Sequence, residues 1–384
     1  MEKKTFLSTI AKKRYELALV RLLAEQNRDG SWGSGFSEKV TLTAQMIQLL
    51  LALNVKNSDA VFVSASRWLE DNVNKGDDHW ATRLEIGLKI GDYHKLLNNG
   101  LITSFIEDLN HDLDYPEEAP YLDFFWHIIP TLIALNPYER DLEERGIFVP
   151  HGKVIARIEH EHCHEFPDGC VTIEHHPNNT GLVALYYMAI SQNEKYKHCR
   201  RRVDSMANWL LQTRRERRDV GVCWDESKSV TSYVAMDLLE CISAEMLEQY
   251  LPNIIKYLSL SEQGFVSGDK KTTYDSDIHK KSIYSTILVL RALAEIIKKL
   301  GTGELADAYK NALAQKSMQR HYRFKKRVSK IRVIIPTIIC SLLIATSIIC
   351  YVFEKNEVGS LLLSTGFAGI LGLFFDWLKK PGRN

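Results

Sequence analysis

Three stretches of the chain hold residue types that could do chemistry. The first is Asp123-Phe124-Phe125-Trp126-His127. A carboxylic acid set among aromatic rings loses hydration, which raises its pKa and suits it to proton donation. The same rings can stabilise a cation. His127 falls four residues after Asp123, on the same helical face. The competing reading is structural: Asp123 caps a helix or pairs with a basic neighbour. The second stretch, EHEHCHEFPDGCVTIEHH, gathers His160, His162, Cys163, His164, Asp168, Cys170, His175 and His176. His160 and His164 have the spacing of two zinc ligands on one helical face, with Asp168 and Cys170 as further candidates. Zinc or magnesium would be the ion, but no regular ligand spacing repeats, and surface histidines near a turn, or rim residues at the ring's mouth, are the plainer reading. The third stretch is Asp275-Ser276-Asp277, in a long polar segment, where a solvated turn is the plainer reading.

These residues need elements to position them. Six strongly apolar segments recur: VTLTAQMIQLLLAL (40–53), ATRLEIGLKI (81–90), YLDFFWHIIPTLIAL (121–135), TGLVALYYMAI (180–190), VTSYVAMDLLECI (230–242) and IYSTILVLRALAEII (283–297). The segments before them are amphipathic; in the fifth, Val203, Met206 and Leu210 form one stripe among arginines. Each unit therefore reads as an outer amphipathic helix, a turn, and an inner helix that is apolar nearly all round. A helix of the second kind must be surrounded. Six inner helices inside six outer ones predict an all-α, closed (α/α)6 toroid over residues 1–300; an open solenoid would leave one face of each inner helix wet. Phe124, Phe125, Trp126, His176, Asn178, Tyr187 and Tyr233 are the expected lining of its central cavity.

The turns repeat as well: LLAEQNRDGSW (22–32), WLEDNVNKGDDHW (68–80), FPDGC (166–170), WLLQTRRERRDVGVCW (209–224) and YLSLSEQGF (257–265). Gln26, Asp29, Gly30, Ser31 and Trp32 resemble the QW motif of the triterpene and diterpene cyclases, which share the α/α toroid with the protein prenyltransferase β subunits. Gln212, Gly221 and Trp224 make a looser copy. The resemblance covers roughly residues 6–300. In the motif, glutamine and aspartate satisfy helix-terminal backbone groups and the tryptophan packs over the turn, so Trp32 and Trp224 read as staples.

The resemblance implies an isoprenoid or diphosphate ligand and one of two chemistries. Class II cyclases protonate an alkene with a DxDD acid before an inner helix that begins Thr-Ala; protein prenyltransferases hold zinc with Asp-x-Cys and a distant histidine. Neither set is complete here. Superposing the inner helices on Thr43-Ala44 puts Thr41-Leu42, Asn178-Asn179 and Asp123-Phe124 at the acid positions, so Asp123 is the one carboxylate resembling the donor, with His127 beside it. Asp168-Gly169-Cys170 has the zinc letters but falls in a turn, while helix starts carry Thr231 and Ser285.

Composition sets the remaining bounds. Lysine plus arginine (49) nearly balances aspartate plus glutamate (48) across 384 residues, which argues against a nucleic-acid partner. The seven cysteines form no CxxC pair, as expected in a reducing compartment. Beyond residue 300 a basic linker helix (301–332) is expected, then two transmembrane helices (333–378) and a basic tail (379–384). Val333–Phe353 is free of charge and, at about 1.5 Å per residue, long enough for a ~30 Å bilayer core. The flanking Arg and Lys place both termini and the toroid in the cytoplasm. Ser360, Ser364, Ala368 and Gly372 fall four apart, a small-residue stripe for packing within the hairpin or for self-association. Two functions follow: a membrane-anchored cyclase- or prenyltransferase-like toroid that binds an isoprenoid or other apolar ligand, or a non-catalytic sensor toroid coupled to a two-helix membrane effector.

Overall fold

A computed structural model of the chain describes residues 9–115, 123–217, 221–260, 266–267, 281–299 and 307–315, together with residue 345. The chain divides into two compact units, Met1–Leu313 and Ala314–Asn384. The first unit is mostly helical. Its helices are α1 (Thr9–Ala24), α2 (Phe36–Ala52), α3 (Ala60–Asn72), α4 (Trp80–Lys89), α5 (Tyr93–Asn98), α6 (Leu101–Asp114), α7 (Ile129–Leu135), α8 (Glu139–Glu144), α9 (His151–Arg157), α10 (Pro177–Ile190), α11 (Cys199–Thr213), α12 (Lys228–Cys241), α13 (Ala244–Tyr257) and α14 (Ile283–Lys299). A helical stretch at 307–315 follows.

The apolar segments become the inner helices. On α2, Val40, Leu42, Ala44, Met46, Ile47, Leu49 and Leu50 are all buried, so the helix is covered on every side. On α11 burial follows one stripe of Val203, Met206, Ala207 and Leu210, while Arg201 and Asp204 stay exposed. The inner helices meet in sequence: α2 packs on α4, α4 on α7, α7 on α10, α10 on α12, α12 on α14, and α14 on α2. The contacts close into a cycle. At the seam the Tyr15 hydroxyl donates to the Leu290 carbonyl at 3.0 Å, and Arg291 Nη1 donates to Gln45 Oε1 at 3.2 Å. Residues 307–313 belong to the same unit: Tyr309 donates to Asp59 Oδ1, the N-cap of α3, at 2.9 Å.

The repeated turns share one construction. Trp32 Nε1 donates to the Leu22 carbonyl at 2.6 Å, and Trp224 Nε1 to that of Leu210 at 2.7 Å. Each ring is thereby tied back onto the last turns of its outer helix. The backbone N–H of each tryptophan donates to a threonine of the next inner helix, Trp32 to Thr43 in the middle of α2 at 3.1 Å and Trp224 to Thr231 in the first turn of α12 at 3.0 Å. Ile173 and Thr180 repeat the contact at 3.0 Å where the aromatic is lost. Gly30 (φ +98°) and Gly221 (φ +112°) lie hard against the neighbouring outer helix: a Cβ there would meet Ser64 O at 2.4 Å and Asn253 O at 2.2 Å.

Two features add to the expected helices. Among the described residues, three antiparallel strand pairs precede inner helices: β1 (Cys163–Glu165) with β2 (Val171–Ile173), β3 (Arg215–Arg217) with β4 (Gly221–Cys223), and β5 (Val266–Ser267) with β6 (Lys281–Ser282). Single π-turns occupy Phe124–Ile128 and Ile158–His162.

One expectation is corrected. Among the described residues no helix is long and apolar enough to cross a membrane, so the transmembrane character expected of this chain has no counterpart there. The segments that raised it (333–353, residue 345 apart, and 358–375), the stripe Ser360, Ser364, Ala368 and Gly372, and the Asp275–Asp277 pair lie outside the described residues.

Candidate functional site

The cycle of inner helices encloses a cavity of about 270 Å³ to which all six contribute. Each helix presents residues three or four apart, which is one helical face. The faces are Gln45 and Gln48 on α2, Glu85 and Lys89 on α4, Pro130 and Ile133 on α7, Asn178, Leu182 and Leu185 on α10, Tyr233, Met236, Asp237 and Glu240 on α12, and Arg291 and Glu295 on α14. Phe125 and Trp126, from the π-turn before α7, complete the lining. One wall is aromatic and aliphatic; the opposing wall carries charge.

Hydrogen bonds order the charged wall. Lys89 Nζ donates to Glu85 Oε1 at 2.5 Å and to Gln48 Oε1 at 3.2 Å. Arg291 holds Gln45, whose amide donates to the Tyr233 hydroxyl at 3.2 Å, and Tyr233 shares a 2.9 Å bond with Tyr284. The Trp126 ring stands edge-on to Tyr233 at 6.3 Å; at 54% exposed, it marks a mouth of the chamber.

Asp237 differs from the rest of the wall. It is 7% exposed, faces the cavity, and has no hydrogen-bond or ion-pair partner among the described residues. Burial pushes its carboxyl up to about 7, against the opposing pull of Arg291 and Lys89. Removing a carboxylate from water penalises its charged form, and these cations are too distant to form an ion pair that restores it. Burial likewise pushes the Tyr233 phenol up to about 12.

Of the residues expected in the cavity, Phe125, Trp126, Asn178 and Tyr233 line it. Phe124 instead packs against Phe125 and His162 beneath the Arg157 guanidinium. His176 is exposed at the N-cap of α10. Tyr187 is buried behind the wall, where its hydroxyl donates to Glu159 at 3.0 Å.

Asp123 occupies the place that its structural reading describes. It is exposed, and its Oδ1 accepts the Trp126 N–H at 2.7 Å as cap of the π-turn. His127 turns back, its Nδ1 accepting the Asp123 N–H at 3.2 Å, and burial lowers its pKa. This pair sits outside the chamber lining. The aromatic run that suggested a shielded acid shields its neighbours instead.

The histidine stretch is likewise dispersed. His160 ends in the π-turn and His164 in β1, so they share no helical face. His164 stacks on His175 at 4.4 Å, and Asp168 Oδ1 accepts the Cys170 N–H at 3.0 Å as a turn contact. Among the described residues no three His, Cys, Asp or Glu side chains converge as metal ligands.

Asp237, Glu85, Arg291 and Glu295 were not singled out from sequence. The signal was partial: each is a charged residue within a largely apolar segment, but α4, α12 and α14 carry other charges too, and Arg83 of α4 turns outward to the Val73 carbonyl.

No protein-family model matches the chain, and no curated protein sequence matches it.

Proposed function

We propose that the chain is an (α/α)6 toroid of the kind used by isoprenoid-handling proteins, and that its central chamber binds a small amphipathic ligand. The observation that carries this reading is the chamber itself: residues from all six inner helices converge on one cavity with an apolar wall facing a polar one. Ligand sites commonly combine such walls, the apolar surface supplying affinity and a few polar groups fixing orientation. On the scale where a cavity of ~150 Å³ holds benzene, the volume suits an apolar body of roughly ten heavy atoms. The Trp32 and Trp224 turns support kinship with the QW-motif proteins, because both rings act as ties between outer and inner helices.

Binding without turnover is the better supported form. Alkene protonation needs a strong acid in the chamber. Asp123 lies outside the lining, and Asp237, held near 7, is a weak one. Titrating the purified full chain with geraniol, followed by tryptophan fluorescence and native mass spectrometry, tests the reading. Saturable one-to-one binding is expected, and Leu185→Trp, which fills the apolar wall, should abolish it. Absence of binding in the wild-type chain would overturn it. Localisation at a bilayer rests on residues 320–384 alone; alkaline extraction of the full chain beside a chain ending at residue 330 tests that separately.

A further inference from the structure

Resting on the chamber reading, we propose that the ligand's head group is a cation, an ammonium carried on an apolar body and held by Asp237 and Glu295. The argument is a charge count inside one cavity. Four carboxylates and two cationic side chains line it: Glu85, Asp237, Glu240 and Glu295 against Lys89 and Arg291. Lys89 neutralises Glu85 through its 2.5 Å contact. Glu240 is answered at the surface by Lys299, at 3.2 Å. What remains, with Asp237 ionised as it is at pH 8, is Asp237 and Glu295 against Arg291, one negative charge in excess.

The hydrogen-bond count gives the same answer. Neither Asp237 nor Glu295 has a hydrogen-bond partner among the described residues, and the buried donor left over on the wall, Arg291 Nε, is one against two carboxylates. Asp237 is more than nine-tenths buried, where a carboxylate without a donor is costly. Arg291 already spends Nη1 on Gln45. An ammonium brings donors and the missing positive charge together. Phe125, Trp126 and Tyr233 line the same cavity, and aromatic rings beside a ligand favour a cation over an anion. A diphosphate would bring more negative charge to a wall already in excess, so the head group implied by the resemblance to prenyl-diphosphate enzymes does not suit this wall.

The test holds the apolar body constant and varies the head. Geranylamine, geraniol and geranyl diphosphate are titrated into the purified full chain at pH 8 by calorimetry. The expected order is amine, then alcohol, then diphosphate. Asp237→Asn and Glu295→Gln should each weaken the amine about tenfold or more, as loss of a hydrogen bond to a charged group does, and leave geraniol within about threefold. Circular dichroism and the retained geraniol affinity report that each variant is folded. Diphosphate binding as tight as amine binding would overturn the cationic head and leave the chamber reading standing. Amine affinity unchanged in both variants would also overturn it. If none of the three binds, both inferences fall.

Discussion

Gly181 on α10 faces the Asp237 carboxyl on α12 so closely that a methyl group at position 181 would lie 2.6 Å from Oδ2 and 3.1 Å from the Asp237 Cβ. The two inner helices approach at this point because one of them carries no side chain. Gly181→Ala should therefore displace Asp237 and part the helices. A cost of about 1–3 kcal/mol is expected, typical of an overpacked core, and is read as a lower urea midpoint. The same variant should lose chamber binding of geraniol, because the displaced carboxyl enters the cavity.

Asp237 also sets a pH dependence. With its folded pKa raised to about 7 from an unfolded value near 3.8, the native chain keeps a proton that the unfolded chain has released. Stability from this group is fully present below about pH 4 and is lost as pH rises towards 7, by at most ~1.4 kcal/mol per pH unit. Asp237→Asn removes that dependence. Urea unfolding from pH 5 to pH 8 should show the variant gaining on the wild type as pH rises; parallel profiles would contradict the assignment.

The tryptophan turns predict a paired effect. Thr43→Val strands the buried Trp32 N–H, and Thr231→Val strands that of Trp224. Each should cost about 1–3 kcal/mol, the penalty for a buried donor left without a partner. The two turns share no contacts, so the double variant should show the sum. Denaturation midpoints of the three variants decide it.

Glycines with similar backbone angles should differ sharply. Gly30→Ala and Gly221→Ala drive a methyl into a carbonyl of the next outer helix, while Gly76 has φ +98° but open space around it. Gly76→Ala should cost only the left-handed strain, about 1–2 kcal/mol. The other two should cost several times more and yield little folded protein. Thermal melts beside expression yield make the comparison.

Asp123→Asn tests the acid that the aromatic run first suggested. As a cap whose Oδ1 accepts the Trp126 N–H, it should cost about 1 kcal/mol or less when made an asparagine, which also caps well. Binding in the chamber should be unchanged.

Much of the architecture is legible in the residues. The six apolar stretches specify which helices are enclosed, and the recurring Gly-aromatic turns mark where the chain reverses. Helix rotation is less legible. Periodicity in a segment such as VTSYVAMDLLECI is nearly flat, because neighbours cover every side, so it does not reveal which residue faces the axis. Asp237 is one of two acids in that stretch, with Glu240, and the letters do not say which of them is buried. Asp123 misleads for a related reason: three aromatics in a row suggest enclosure, but a π-turn adds a residue and swings the acid outward. The strand pairs pass unnoticed because strands of three residues or fewer are too short to alternate visibly.

The contact of α14 with α2 has a bearing on how the molecule comes to be made. The earliest enclosed rod needs as its neighbour the last, so during synthesis α2 keeps an oily flank bare until nearly the whole unit has left the ribosome. Neither half can finish alone. A stop before residue 283 would leave the flanks of α2 and α12 that α14 covers in water, and the product expected is aggregate, not a smaller working domain.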